Sequence, residues 1–276
     1  MEYMALFIWL CLCLLLGGLI HYVMTGALAH RPIQLLAAPG MVMRKFTMTL
    51  TALLCGGTVT RVRIYELSSR DINFEADGTA GVAKVLVPLA PLFGGALAVM
   101  ALNTAFGAPL HFDYTPPSLA SLDGGGLRGF LEGTGALLTR VVRQGARADW
   151  RSPRIYVLFA LLFSMALGGC APLERIKEAA LGAGLLAVLL ALVSTVAVRR
   201  GPGGMSVAAP WFANARDFVV TASAAAFVMM VYGILVAIAV GVVVRIYELI
   251  VNRGKGGGRK KKTATLPSSG ERKEAA

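Results

Sequence analysis

The chain has 276 residues, 56% of them hydrophobic and only 15% charged, with a mean hydropathy of +0.67. Soluble domains carry about 45–50% apolar and about 25% charged residues, so this balance excludes an ordinary soluble domain and indicates a membrane protein. The net charge of +12 is unevenly spread: from Asn252 to Ala276 eight Lys/Arg stand against two Glu, a charge of +6 and half the total.

In chain order, Met4–Met24 (MALFIWLCLCLLLGGLIHYVM) is long enough to cross a bilayer. Ala27-Leu28-Ala29 has the small-residue form of a cleavage site. However, the preceding Met-Glu-Tyr lacks a cation and the apolar run is long, so the segment reads as a retained span. A second apolar segment, 33–57, is interrupted by Pro39-Gly40 and by the adjacent cations Arg44-Lys45. Thr58–Leu67 (TVTRVRIYEL) is rich in β-branched residues that alternate, which predicts a strand, followed by a polar turn region through Gly81.

Val85–Asn103 (85–103) is a third span, kinked by Pro88 and Pro91. The polar stretch 104–153 contains Leu127, Phe130, Leu131, Leu137, Leu138, Val141 and Val142 at helical spacing. Arg128, Glu132, Arg140, Arg143 and Arg147 take other positions, so an amphipathic surface helix is expected, lying on the membrane or capping the bundle. Further spans are expected near 155–170, 181–198 and 218–244, with a tight turn at Ala171–Arg175 and a Gly/Pro-rich loop after Arg199-Arg200. The fold class expected is therefore an all-α polytopic membrane protein. It has about six transmembrane helices, a small β element and one amphipathic surface helix.

The tail 252–276 lacks any apolar period and is expected to be disordered. Next to a membrane helix its basic charge fixes it in the cytoplasm and draws it to anionic lipid headgroups. Nucleic acid is not an expected partner. Six crossings then put the N-terminus in the cytoplasm, with Arg61, Arg63, Arg70 and Lys84. The same count places the five arginines of 104–153 outside, against the positive-inside rule. One hexapeptide, VRIYEL, occurs twice, at Val62–Leu67 and Val244–Leu249. Shared interfacial chemistry accounts for it, since Arg and Tyr both anchor at membrane surfaces.

Cys11, Cys13, Cys55 and Cys170 lie in apolar stretches without metal-site spacing and read as small buried hydrophobes. The three histidines are scattered: His21 and His30 fall near opposite faces of a continuous helix, and His111 is in the polar region. No phosphate-binding loop or dinucleotide fingerprint is present; the glycine runs at 124–126 and 256–258 lack the strand–helix context such sites need.

The order of features from about Leu35 to Asn103, and again from Trp150 to Val193, resembles the site-2-protease class of intramembrane zinc metalloproteases. It is most similar to short bacterial members whose zinc helix opens Pro-Gly and continues into HExxH. Here PGMVM is followed by RKFTM where HExxH would stand, then by TLTALLCGGTVTRVRIYEL, like the helix end and first strand of that family. VPLAPLFGGALAVMALN is similar to the next membrane helix, and WRSPRIYVLFALLFSMALGGCAPLERIKEAALGAGLLAVLLALV to a later helix pair. The resemblance implies a bacterial inner-membrane location.

In HExxH two histidines at i and i+4 bind zinc and the glutamate is the general base. Carried over by the resemblance, Arg44 and Met48 fall on the histidine positions and Lys45 on the glutamate position. Guanidinium has no acceptor lone pair and stays protonated. A thioether prefers softer metals than zinc, and lysine is a base only with a strongly depressed pKa. The resemblance further points to Asp123, in Leu122-Asp123-Gly124, and to Glu174, in the APLER turn, as possible acidic partners. A loop turn for Asp123 and an interfacial charge near Arg175 for Glu174 are the simpler accounts.

These residues predict a non-catalytic relative of the site-2 proteases that binds or scaffolds another membrane protein, with no cofactor. Two alternatives are a membrane metalloprotease with a relocated zinc site and a transporter accessory subunit. Arg44, Thr47, Met48, Thr51 and Cys55 share a helix face suited to packing on another helix. Of the two roles open to Arg44 and Lys45, the simpler is snorkelling to headgroups at the surface. The sharper is that Arg44 fills the space of the lost metal and pairs with Glu174 or another buried acid.

Overall fold

A computed structural model describes residues 2–24, 27–62, 72–75, 80–112, 114–119, 124–170, 175–200, 206–208 and 210–255. The chain divides into two units, Met1–Gly241 and Val242–Ala276. The described part of the second unit is the end of the last helix, which runs to Lys255 and so takes in the first four residues of the predicted tail. The rest of the tail lies outside the described residues.

Eight helices are described: α1 (Glu2–Met24), α2 (Arg31–Leu54), α3 (Ala80–Leu86), α4 (Ala90–Ala105), α5 (Gly124–Arg147), α6 (Pro153–Gly169), α7 (Ile176–Ala197) and α8 (Pro210–Lys255). A 3-10 turn, Ala27–Ala29, lies between α1 and α2. Three helices, α1, α7 through Val196 and α8 through Tyr247, are long and apolar enough to cross a membrane; α4 and α6 are shorter apolar helices. The protein is thus a helical integral membrane protein.

Local chemistry sets the helix ends. Pro32 and Pro153 stand in the first turns of α2 and α6, where a missing N–H costs nothing. α2 stops where Gly56 takes φ +77°. The Gly56 N–H then donates to the Leu53 carbonyl and the Gly57 N–H to the Ala52 carbonyl, the paired bonds of a Schellman end. α4 ends the same way, with Gly107 at φ +87° and the Ala108 N–H on the Asn103 carbonyl at 2.7 Å. The buried Asn103 side chain then holds the departing chain, donating to the Leu110 carbonyl (2.7 Å) and accepting from its N–H (3.0 Å). The prolines predicted to kink the third span do more, since the helix breaks between Leu86 and Ala90 into α3 and α4.

Close helix contacts are made by small residues, as lipid-embedded helices require. α2 packs on α6 and on α4, and α4 packs on α6, so these three helices form one contiguous interior. α1 packs on α7 and touches α6. α5 buries Phe130, Leu137, Val141 and Gly145 along one face. Phe130 meets the buried Trp9 ring of α1 edge-on, and the Val141 carbonyl accepts from the Tyr232 hydroxyl of α8 at 2.8 Å. The arginines of α5 face outward.

Two short hairpins complete the fold. β1 (Thr58–Val62) opens the predicted strand and pairs antiparallel with β2 (Ile72–Glu75), Thr58 opposite Glu75, with a register shift between Val59 and Arg61. β2 lies in the stretch expected to be a polar turn region. β3 (Val198–Arg200) and β4 (Ser206–Ala208) pair where only a loop was expected. Both errors have one cause: a three- or four-residue strand is defined by its partner rather than by its own period.

Candidate functional site

α2 is the helix on which the sequence focuses attention, and its Pro39–Met48 stretch lies in the interior. Pro39 has no N–H. The next residue, Gly40, donates its N–H sideways to the Ser164 hydroxyl of α6 at 2.8 Å, a buried bond between residues far apart in the chain. A Cβ on Gly40 would collide with the Ser164 carbonyl, and one on Gly168 would collide with the Gly40 carbonyl. Ser164 and Gly168 thus form a small-residue notch at i and i+4 into which the α2 backbone sits. Two turns further on, Thr47 of α2 occupies the space opposite Gly94 of α4, and its hydroxyl donates to the Met43 and Arg44 carbonyls at 3.0 Å each.

Arg44 and Lys45 lie between these two contacts. Their relative exposures are 6% and 4%, and each has an interaction partner. The snorkelling reading is therefore corrected: both cations sit within the protein. The reason is tertiary. The α4 and α6 helices pack over the face of α2 that carries Arg44 and Lys45, while Val42, Phe46 and Leu50 on its other side stay exposed. The Arg44 charge reaches His21 of α1 and Cys170 at the end of α6. Cys170 in turn lies against Gly17 of α1, 3.4 Å from where a Cβ would stand.

Met48 packs with Ala52 and Val87 in an apolar cluster that Val59 joins from β1. The small-residue face shared by Arg44, Thr47 and Met48 is thus a packing face, as its composition predicts. Asp123 and Glu174 lie outside the described residues, as do residues 63–67 of the first VRIYEL copy. His21, His30 and His111 are on separate elements, and α1 and α2 are not one continuous helix. Among the described residues, no three His, Cys, Asp or Glu side chains come together as a metal-binding group.

Chemically, a buried guanidinium and a buried ammonium supply donors and positive charge. They can hold a carboxylate, a phosphate or backbone carbonyls. They offer no lone pair to a metal and no nucleophile at their usual protonation. The residues that sequence reasoning missed are Ser164, Gly168 and Gly94, which press on this stretch of α2. The i, i+4 pattern in FSMALG was the available signal. Compared with known proteins, the chain matches no family model, no curated protein and no solved structure.

Proposed function

We propose that this chain is a non-catalytic integral membrane protein, laid out like a site-2 metalloprotease, that binds or scaffolds another protein within the bilayer. Three helices are long and apolar enough to cross. With α2, the broken α3–α4 pair and α6 adding further crossings, and with α1 and α8 running parallel from Glu2 beside Arg216 to Val23 beside Gly241, the basic tail stands on the cytoplasmic side of a bacterial membrane and the start of α1 on the opposite side. The basic tail lies against anionic headgroups of the inner membrane.

The observation that carries the reading is the state of α2. Where a zinc helix presents two ligands and a base, it carries buried Arg44 and Lys45, and Met48 lies in an apolar cluster. Ionisable residues within membrane helices cost about 2.5–3.5 kcal/mol each on insertion scales. Cations retained at such a cost serve a partner or the packing of the bundle.

The test is metal analysis of the purified protein beside an Arg44→His/Lys45→Glu/Met48→His variant. Zinc bound by the variant alone is the expected result, since the helix would regain its ligands in a pre-shaped interior. Stoichiometric zinc in the unaltered protein would overturn the non-catalytic reading. A folded variant that binds no zinc would remove the case for a shared plan.

A further inference from the structure

A cavity of about 310 Å3 lies between the start of α1, the segment 114–119 and the first turns of α8. That volume is at the small end of ligand pockets, which run from about 300 to 1,000 Å3. Glu2, Arg216 and Asp217 stand at it, and Leu6 and Val220 lie one turn deeper along their helices. Tyr3, Thr115 and Ser118 add hydroxyls.

The position of this cavity is fixed by two membrane helices. α1 and α8 both become continuously apolar just past it, at Met4 and Phe218, and Arg216 reaches Glu2 at 3.9 Å, which brings the two helix starts level. Charged residues at the start of an apolar span belong to the headgroup layer, and the first turn below them to the hydrocarbon. The cavity therefore runs from one layer into the other, polar at the outer end and apolar at the inner end.

One wall is stiff. Pro116 and Pro117 line the cavity, and Pro117 is seated against Gly133 of α5, where a Cβ would come within 3.0 Å of its ring. The Tyr114 hydroxyl ties the start of the same segment to Gln144 Oε1 at 2.6 Å, and Leu119 is buried at its end. A pocket bounded by fixed φ angles and anchored at both ends needs little ordering on binding.

The polar groups are less committed. Arg216 contacts Asp217 at 3.4 Å and Glu2 at 3.9 Å, and all three side chains are substantially exposed. Such long, solvent-screened pairs open at small cost. Two carboxylates and one guanidinium match a ligand with one phosphate and one N–H-bearing cation. The guanidinium takes phosphate oxygens through paired donors, and the carboxylates accept from an ammonium.

We propose that this cavity binds a phospholipid with a primary-amine headgroup, its phosphate on Arg216, its ammonium on Glu2 and Asp217, and its first methylenes against Leu6 and Val220. The site is independent of α2 and of the proposed scaffolding role. The full chain in detergent, titrated with phosphatidylethanolamine, phosphatidylcholine, phosphatidylglycerol and water-soluble phosphoethanolamine, tests it by native mass spectrometry.

Phosphatidylethanolamine should bind tightest, because the choline headgroup has no N–H and the glycerol headgroup has no cation. Free phosphoethanolamine should bind more weakly than the lipid, since it leaves the apolar end empty; binding as tight as the lipid's would overturn the lipid assignment. Arg216→Ala and the pair Glu2→Gln/Asp217→Asn should each weaken phosphatidylethanolamine binding about threefold to fivefold, the upper range for screened charge pairs. Phosphatidylcholine binding should fall less than phosphatidylethanolamine binding in the carboxylate variant, since choline loses charge attraction but no hydrogen bond. Equal binding of all three lipids, or an amine preference that survives both variants, would refute the site. Because these side chains are exposed, unchanged melting of the variants serves as the folding control.

Discussion

Replacing Gly40 with alanine tests the α2–α6 contact directly. The new methyl would meet the Ser164 carbonyl and the Met165 amide of α6, and the Gly40 carbonyl already lies where a Gly168 Cβ would be. These neighbours are backbone, so no side chain can rotate away and the helices must separate. Overpacking costs about 1–3 kcal/mol, and the upper end applies here. Alanine recovers about 1 kcal/mol of helix propensity over glycine, leaving a net loss of about 2 kcal/mol. Gly135 on α5 is the control, because nothing lies within 4 Å of its would-be Cβ. There the propensity gain stands alone, at about 1 kcal/mol. For a chain of this size 1 kcal/mol shifts Tm by about 2–4 °C. Gly40→Ala should therefore melt about 4–8 °C lower and Gly135→Ala about 2–4 °C higher. Tryptophan fluorescence reads this, since Trp9 is fully buried against Phe227, with ring centroids 4.4 Å apart. If Gly40→Ala melts at or above Gly135→Ala, the backbone notch does not exist in the folded protein.

Two further outcomes follow from side chains elsewhere. Met48→Leu should cost less than about 1.5 kcal/mol, whereas Met48→Ala should cost about 2–5 kcal/mol, by thermal unfolding, because the site is an apolar cluster with Ala52 and Val87. A metal-ligand role would instead make the two substitutions equally damaging. Tyr114 is pushed above its usual pKa by partial burial, opposed by the nearby Arg140 charge. A raised folded pKa means stability is fully present below the unfolded value of about 10 and is lost as pH rises through the folded value. The wild type should thus lose stability between about pH 10 and its higher folded pKa, and Tyr114→Phe, which cannot ionise, should lack that component. Identical high-pH melting profiles for the two proteins would dismiss it.

Much of the architecture is legible in the sequence because it rests on local rules. Apolar runs of about twenty residues mark α1 and α8, Pro88 and Pro91 mark the break between α3 and α4, and Gly56 ends α2 by accepting a positive φ. The periodic pattern of α5 gives its buried face, including Phe130, Leu137 and Val141, from spacing alone. β2, β3 and β4 are not legible, since each is only three or four residues long and exists through its pairing.

What the sequence determined by itself is the class of molecule: an apolar, helical membrane chain whose α2 carries two adjacent cations, Arg44 and Lys45, inside an apolar segment. What only the tertiary structure decided is where those cations lie. A charge in an apolar segment is equally compatible with the headgroup layer and with the protein interior. Its own sequence neighbourhood cannot distinguish them. The choice was made far along the chain, by the Ser164 hydroxyl and Gly168 of α6, and by Gly94 of α4. These small residues let two backbones close over α2, and burial of Arg44 and Lys45 follows from that closure.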